Sequence, residues 1–361
     1  MPPSALLVCA ALGVPALGPS GASAHLRGVA WALRHRGFPL RVVAAKESDP
    51  RGVWGAMPVA VETAPIPGWP SWLGGLRERR EAWLTARLAE VANRGPAPSF
   101  TWERWSLFSD VGARVRAKTG APWVLEVNAP LAMERARFET VYDPAYAEAW
   151  ERRVLPQADR VLVVSSWLAR WVVHERGVSP HRVRIVPNGV EAYPGDRAAT
   201  RASLGLTDEP VVGFLGSMKP WHGAERAYAL AESLGAVALM VGANPPPPPP
   251  GVRVILTGQV DEARSADLVA AMDLGLAPYG PESPPWFCPL KLLAYRAQGT
   301  PALASDIGDA RRLVGEGGEV LPPGDKSAWI SAARRWLGRR VTPNVRTWGD
   351  VVDEGLVGLV G

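Results

Sequence analysis

The apolar positions in the first half of the chain fall in short runs, separated by stretches with helical spacing. The runs do not alternate with polar residues and are bounded by turn residues, which is typical of parallel strands buried on both faces. They lie at residues 5–10, 40–45, 123–128, 160–164 and 183–186. Helical spacing is found at residues 22–36, 76–92, 111–118, 143–155 and 167–175. The order strand, glycine loop, helix, strand at the start of the chain predicts a doubly wound sheet.

The same alternation begins again in the second half. Its apolar runs lie at residues 211–215, 237–241, 252–256, 275–278 and 302–305. Its helices are expected up to residue 234 and at 261–272, 289–298, 326–337 and 347–360. The pattern predicts an α/β protein with two Rossmann-like, doubly wound domains, at residues 1–190 and 191–340. A C-terminal helix within 341–361 follows, and its return to the first domain is one alternative.

Composition narrows the class of protein. The net charge of +5 is spread along the 361 residues, so nucleic-acid binding is not expected, whereas a phosphorylated substrate or an anionic membrane would fit. Cys9 and Cys288 form no metal or disulfide framework, which favours a cytoplasmic location. No run is long enough to span a membrane, and the apolar run 5–17 is expected to be a strand and its loop. The helix at 76–92 would lie on a membrane surface or, because its charges are mixed, be an ordinary solvated helix.

Residues 284–301 predict a loop that becomes a helix at Pro289. Proline fits the first helical position, and Gly299 is placed to end the helix. Lys291 adds a charge in the first turn, where the helix already carries partial positive charge. This arrangement predicts a bound anion, most simply a phosphate. The alternative is a surface lysine on an ordinary helix.

Two other stretches carry candidate chemistry. The glycine loop at 13–21 is not a P-loop, because Pro19 stands where that motif requires lysine, and G-x-G-x-x-G is also absent. Gly21 would let a ligand approach the backbone at a helix start, unless the glycines serve only the turn. Glu126 and Asn128 lie two residues apart at the end of a predicted strand, so they share one face. They are either site residues or a polar edge of the sheet.

Motifs of one family follow each other in order along nearly the whole chain. They are VPNGVE at 186–191, GFLGSMKPWHG at 213–223, CPLKLLAYRAQGTP at 288–301, SDIG at 305–308 and LPPGD at 321–325. These segments resemble the family-four glycosyltransferases, which have the GT-B fold. In the first half, GASAH at 21–25 and LEVNAPL at 125–131 are similar to a sugar-polymer subset of that family.

The resemblance implies two Rossmann-like domains that face each other across a cleft. It implies an enzyme that moves a sugar from a nucleotide-sugar donor, of the UDP or GDP type, to an unidentified acceptor with retention at the anomeric carbon. The donor would bind to the second domain and the acceptor to the first. No cofactor and no metal are expected, because the chain has no Asp-x-Asp triplet and two lysines could supply the counter-charge.

The resemblance also implies roles for individual residues. Lys219 and Lys291 would stabilise the leaving diphosphate, and the N–H groups of Leu290 and Lys291 would hold its phosphates. The implied catalytic residues are Glu126, Asn128, Lys219 and Lys291. The implied donor contacts are Gly21, Gly216, Ser217, His222, Gly242, Thr257, Gly258, Val260, Phe287, Cys288, Pro289, Leu290 and Lys291. The implied acceptor contacts are His25 and Glu134.

One position departs from the family pattern. A glutamate that binds the ribose hydroxyls of the donor is expected three residues after Lys291, where this chain has Ala294. Losing that acceptor would weaken donor binding by about one or two powers of ten. Two alternatives to an active transferase therefore remain open. They are a non-catalytic GT-B binding or scaffold protein and a sugar-nucleotide epimerase.

Overall fold

The computed structural model describes residues 3–49, 52, 54–65 and 76–359. The chain forms two compact units. The first runs to Asn188 and also includes the segment that begins at Trp348, and the second is Gly189–Thr347. The domain boundary expected near residue 190 lies between Asn188 and Gly189, and residues 341–347 belong to the second unit. In the described ranges, no helix is both long and apolar enough to cross a membrane.

The first unit is built on a parallel sheet in which the strand order is β3-β2-β1-β4-β5-β6-β7. Its strands are β1 (Ala5–Cys9), β2 (Leu40–Ala44), β3 (Val61–Glu62), β4 (Phe100–Arg104), β5 (Trp123–Val127), β6 (Arg160–Val163) and β7 (Val183–Ile185). Cys9 lies opposite both Ala44 and Arg104, so neighbouring strands end in line. The chain turns from one side of the sheet to the other between β1 and β4. In open α/β sheets, ligands bind at such a switch point, beyond the carboxyl ends of the strands.

Seven α-helices of this unit lie within the described residues. They are α1 (Gly21–His35), α2 (Arg77–Ala92), α3 (Val111–Thr119), α4 (Leu131–Phe138), α5 (Pro144–Val154), α6 (Ser166–His174) and, from the end of the chain, α13 (Trp348–Leu356). Ser20 caps α1, where its hydroxyl accepts the N–H of Ser23 at 3.1 Å. Helix α13 packs directly on α1, because a Cβ atom on Gly28 would lie 2.2 Å from the ring of Trp348. A glycine is therefore required for this contact.

The second unit repeats the design with the parallel order β10-β9-β8-β11-β12-β13. Its strands are β8 (Val211–Leu215), β9 (Val237–Val241), β10 (Val254–Gly258), β11 (Leu274–Ala277), β12 (Ala302–Ser305) and β13 (Gly318–Leu321). Its helices are α7 (Arg197–Ser203), α8 (Glu225–Leu234), α9 (Glu262–Ala271), α10 (Leu290–Ala297), α11 (Ala310–Val314) and α12 (Lys326–Trp336). The switch point of this sheet lies between β8 and β11. Both sheets are doubly wound, as predicted.

A few elements differ from the sequence-based expectation. Pro289 is not the first helical residue but the N-cap of α10, with ψ of 108°, so the helix begins one residue later. Gly299 does end that segment, in the left-handed region with φ of 62°. Strands β3, β4 and β13 and helices α4, α7 and α11 were not predicted. Helix α7 is polar and is capped by Asp196, whose side chain accepts the N–H of Ala199 at 2.9 Å.

Candidate functional site

Three glycines end three neighbouring strands of the second unit. Gly216, Gly242 and Gly258 follow or close β8, β9 and β10, and their φ angles are 125°, 133° and 68°. Gly216 N–H donates to the Val241 carbonyl at 2.8 Å, and Gly242 N–H donates to the Gly258 carbonyl at 2.9 Å. A Cβ atom on Gly242 would lie 2.1 Å from the Gly216 carbonyl oxygen. The carboxyl edge of this sheet is therefore bare backbone, which a ligand can approach closely.

Lys291 lies in the first turn of α10, beside this edge. Its Nζ is 3.6 Å from the ring centroid of Phe214 and 5.0 Å from that of Tyr279. The residue is only 7% exposed, and Nζ has no hydrogen-bond partner among the described residues. Burial therefore holds the pKa of the amine well below its ordinary value of 10.5. A buried amine without a carboxylate, at the start of a helix, is suited to an anionic ligand.

Tyr295 fixes α10 at the switch point. Its hydroxyl accepts the N–H of Leu215 in β8 at 3.0 Å and donates to the carbonyl of Leu276 in β11 at 3.0 Å. Gly275 leaves room for the ring, since a Cβ atom there would lie 2.6 Å from it. The helix start and Lys291 are thus held against the two strands between which the sheet changes direction.

The loop after β8 carries three of the predicted donor residues. His222 Nδ1 donates to the Ser217 carbonyl, which fixes the tautomer. Burial, with the charge of Lys291 as the next cause, lowers the pKa of His222 to about 4, so the ring is neutral near pH 7. Lys219 differs from Lys291 because it is exposed, with Nζ 5.0 Å from the Trp221 ring centroid.

The other predicted donor residues lie in the loop before α10 and at or just after the end of β10. The Phe287 ring packs on Tyr279 with 4.9 Å between centroids, and Cys288 is buried beside it in the chain. Thr257, Gly258 and Val260 lie at the end of β10, the outer strand of the sheet. Ala294 is half-buried on α10, so no carboxylate stands where the ribose-binding group was expected.

A second polar network lies in the first unit, at the β1–β4 switch point. Glu126 Oε1 lies 2.6 Å from His25 Nε2, and the other oxygen accepts Trp102 Nε1–H at 3.1 Å. Arg104, the last residue of β4, places a guanidinium nitrogen 2.9 Å from His25 Nδ1. The His25 ring stacks on Trp348 with 4.6 Å between centroids. Glu126 and His25 are 3% and 2% exposed, whereas Arg104 is half-buried.

The protonation states in this network follow from the donors present. Arginine only donates, so His25 Nδ1 must accept from Arg104, and the ring proton lies on Nε2, facing Glu126. Burial, reinforced by the charge of Arg104, lowers the pKa of His25 despite the neighbouring Glu126, so the imidazole is neutral. Burial alone would raise the pKa of Glu126, but contacts with His25, Arg104 and Trp102 lower it below its usual value. The network thus contains an ionised carboxylate, a neutral imidazole and a guanidinium.

The other predicted residues of the first unit are less closely grouped. Gly21 is the first residue of α1, one turn before His25 on the same helix. Asn128 directly follows β5, and its Nδ2 is buried without a hydrogen-bond partner in the described part of the chain. Glu134 is half-buried in the first turn of α4. The structure brings Glu126 and His25 into contact.

Sequence reasoning missed several partners of these residues. Arg104 ends a strand, and the rule that sites lie at strand ends would have identified it if β4 had been recognised. Phe214 also lies in a strand, but its position under Lys291 depends on tertiary packing. Within the described ranges, no group of three or more histidine, cysteine, aspartate or glutamate side chains is placed to hold a metal ion.

Comparison with known proteins agrees with these two units. Residues 19–192 match the model of Glycosyltransferase Family 4, and residues 209–339 match that of Glycosyl transferases group 1. The chain belongs to the GT-B glycosyltransferases of the family 4 type. The N-terminal match covers the unit that contains His25 and Glu126, and the C-terminal match covers the unit that contains Lys291.

Curated relatives of this chain are similar to it over part of their length. A D-inositol 3-phosphate glycosyltransferase of Nocardia farcinica is 29% identical over 227 residues, which are 55% of this chain and 49% of that protein. The protein of the same description from Mycobacterium tuberculosis is 30% identical over 213 residues, which are 53% of this chain and 43% of that protein. The alignments thus span less than half the length of these relatives.

Solved structures share the fold of this chain. A sucrose-phosphate synthase from Thermosynechococcus elongatus aligns with a TM-score of 0.68 at 20% identity, over 99% of this chain and 95% of that one. HepE from Anabaena, in complex with UDP and glucose, aligns with a TM-score of 0.65 at 18% identity, over 98% of this chain and 99% of that one. At identities of 20% and 18%, the similarity shows a shared fold and nothing more.

Proposed function

We propose that this protein transfers a sugar from a nucleotide-sugar donor to a hydroxyl group of an acceptor, with retention at the anomeric carbon and without a bound metal. The observation that carries the proposal is the buried amine of Lys291, which has no carboxylate partner among the described residues and lies at the start of α10 beside Gly216. Such a group gains its partner only when an anion binds. The diphosphate of a nucleotide sugar is the anion that a GT-B glycosyltransferase would be expected to hold there.

The proposed reaction breaks the bond between the anomeric carbon and the diphosphate oxygen and forms a bond from that carbon to the acceptor oxygen. The nucleoside diphosphate leaves with the electron pair of the broken bond, and its leaving oxygen takes up the proton that the acceptor hydroxyl loses. Negative charge therefore grows on the diphosphate in the transition state. Lys291 and the N–H groups of Leu290 and Lys291 would stabilise it, because they are fixed before the reaction begins. Exposed Lys219 would add a second positive charge.

In the first unit, we assign Glu126 and His25 to positioning rather than to contact with substrate, because both are buried and contact each other. The half-buried member of the network is Arg104, which His25 holds in place at 2.9 Å. Arg104 would then face the acceptor or the transferred sugar. Asn128 is a further candidate, because its buried Nδ2 lacks a partner in the described ranges.

The donor base is proposed to be uracil. HepE, which shares the fold, has been solved with UDP and with UDP-glucose. Ala294 weakens the expected ribose contact and is the feature that would favour a non-catalytic scaffold instead. The proposal therefore requires that Lys291 and the bare glycine edge provide enough donor affinity without that glutamate.

A donor panel tests the proposal. The protein is incubated with UDP-, GDP- and ADP-sugars, and released nucleotide is measured by mass spectrometry with and without EDTA. We expect slow hydrolysis of one UDP-sugar that EDTA does not change and that Lys291→Ala abolishes. Interconversion of the sugar on intact donor would instead support an epimerase. Binding of UDP without any release of nucleotide, across the whole panel and with candidate acceptors, would support the scaffold and contradict the proposal.

A further inference from the structure

The first unit contains a cavity of about 460 Å³ at the carboxyl ends of β1, β2 and β3. Backbone and side chains of the loop after β1 form one wall, and helices α2 and α4 form the others. The volume falls within the range of small-molecule sites. Loop residue Leu107, which follows β4, also lines it, so the cavity reaches the switch point of this sheet.

The cavity has an apolar part and a charged part. The apolar part is lined by alanine and leucine side chains, of which Leu84 and Leu88 on α2 are 4% and 2% exposed. The charged part is lined by Arg77, Arg80, Glu81, Arg135 and Glu139. Three guanidinium groups face two carboxylates, so this lining carries a formal charge of +1. A ligand with both an apolar body and a negative group would match the two parts.

Ion pairs fix the charged part before a ligand arrives. Arg77 Nε donates to Glu81 at 3.1 Å and its second nitrogen donates to Glu139 at 3.0 Å. Arg135 donates to the other oxygen of Glu81 at 2.7 Å. These bonds connect α2 to α4 and keep the guanidinium groups of Arg77 and Arg135 oriented. A guanidinium has five N–H groups, so those that pair with a carboxylate retain donors for a further anion.

The loop that reaches the switch point is also held in an uncommon conformation. Phe108 is buried with φ of 66°, in the left-handed region that non-glycine residues rarely adopt. Its carbonyl accepts the hydroxyl of Thr85, a cavity residue on α2, at 2.6 Å. Backbone strain of this kind persists where the surrounding structure imposes it, and it is concentrated at functional sites. The cavity wall is thus braced rather than loosely formed.

We propose that this cavity is the acceptor subsite and that the acceptor is a hydroxyl-bearing anionic amphiphile, with an apolar body in the leucine-lined part and a phosphate or carboxylate against the arginines. This inference rests on the proposed function, since it names the acceptor class of the same reaction. The apolar body would come from a lipid chain or from an aromatic acid. Tyr142, which lines the cavity and is 54% exposed, provides further apolar surface there.

Calorimetry with model compounds tests the inference on the whole protein, with UDP present in excess to occupy the Lys291 site. The probes are 1-naphthyl phosphate, octyl phosphate below its micelle concentration, 1-naphthol and inorganic phosphate. We expect at least one organic phosphate to bind about tenfold or more tightly than both inorganic phosphate and 1-naphthol. The tighter of the two organic phosphates identifies the source of the apolar body. Equal affinity for inorganic and organic phosphates would overturn the inference.

Variants separate the cavity from the donor site. Leu12→Trp and Leu131→Trp replace half-buried lining residues on different walls, and each is expected to abolish binding of the organic phosphate while UDP still binds. Arg80→Gln should weaken the organic phosphate about tenfold and leave 1-naphthol unchanged. Arg87→Gln, on the same helix but outside the cavity lining, is the matched control and should change neither.

The donor site is tested in the reverse direction. Lys291→Ala should lose UDP and still bind the organic phosphate without UDP present, so failure of the proposed function and failure of this inference give different results. Retention of organic phosphate binding in both tryptophan variants would show that it binds elsewhere, and the inference would be wrong.

Discussion

Replacement of Lys291 by methionine should stabilise the free protein and remove donor binding at the same time. Methionine keeps the length and volume of the side chain and removes only the amine. That amine is buried without a hydrogen-bond partner in the described chain, and its pKa is lowered well below 10.5 by burial. Burial of an unpartnered polar group costs about 1–3 kcal/mol in protein mutational data.

One interaction opposes this gain. Nζ lies 3.6 Å from the Phe214 ring centroid, and a desolvated cation over an aromatic ring contributes about 2 kcal/mol. That contribution applies only to the charged amine, and burial disfavours the charge. We therefore expect a net gain of about 1–2 kcal/mol, which raises Tm by about 2–8 °C for a unit of this size.

The same substitution should remove the stabilisation that bound UDP gives the folded protein. A ligand at a concentration one hundred times its Kd stabilises the folded state by about 2.7 kcal/mol. Loss of the Lys291 charge should weaken UDP by at least about one hundredfold, because the diphosphate would be left without its buried counter-charge. The variant should therefore melt higher than wild type without UDP and show no shift with it.

Differential scanning fluorimetry with a UDP titration measures both effects. Lys326→Met is the matched control, because Lys326 is also in the first turn of a helix of this unit but is exposed. It should change neither Tm nor the UDP shift. A variant Lys291→Met that melts below wild type and still responds fully to UDP would refute the reasoning, because the amine would then be a structural group.

Three other substitutions give checkable outcomes. Burial raises the pKa of Glu103 from 4.5 to about 7. The stability that this shift contributes is therefore present below pH 4.5 and is lost as the pH rises through 7. Between pH 4.5 and 8, the free energy of unfolding in urea should thus fall by about 3 kcal/mol more in wild type than in Glu103→Gln. If Glu103→Gln has the same pH dependence of stability as wild type, Glu103 is not the cause of that dependence. Ala294→Glu should tighten UDP about ten- to one-hundredfold but leave 2′,3′-dideoxy-UDP unchanged, and equal effects on both would exclude a ribose contact. Trp348→Ala, which removes the ring stacked on His25, should lower the free energy of unfolding by about 3–5 kcal/mol, and a loss below 1 kcal/mol would show that α13 is not needed for this unit.

Much of the fold follows from the pattern of apolar residues. Runs such as Val211–Leu215 and Val237–Val241 form central parallel strands, because strands buried on both faces consist almost entirely of apolar residues. Strand β4 was missed because it contains Thr101, Glu103 and Arg104. Glu103 is nevertheless fully buried, since Ser109 and the N–H of Gly112 hydrogen-bond its carboxylate. A polar central strand of this kind depends on partners that lie outside the strand itself.

The parts of the candidate site that depend on local sequence preferences could be predicted, whereas those that depend on tertiary packing could not. The start of α10, to within one residue, and Gly299 at its end follow from proline and glycine preferences, and the anion site was predicted because Lys291 stands against the helix dipole. Nothing local shows that Lys291 is buried over Phe214, or that Trp348 stacks on His25 from the other end of the chain. The cavity was also not predicted, because it is formed by ion pairs between α2 and α4, whose residues are more than 50 positions apart.

The return of α13 to the first unit has a consequence for how the protein is made. A ribosome finishes residues up to Asn188 first, yet this unit lacks its last helix until Trp348 and the residues after it have been synthesised. The second unit, by contrast, is continuous in sequence and can fold before the first is complete. Until then the face of α1 that includes Gly28 and His25 is without its cover, so the nascent chain exposes apolar surface there for the whole time needed to translate the second unit.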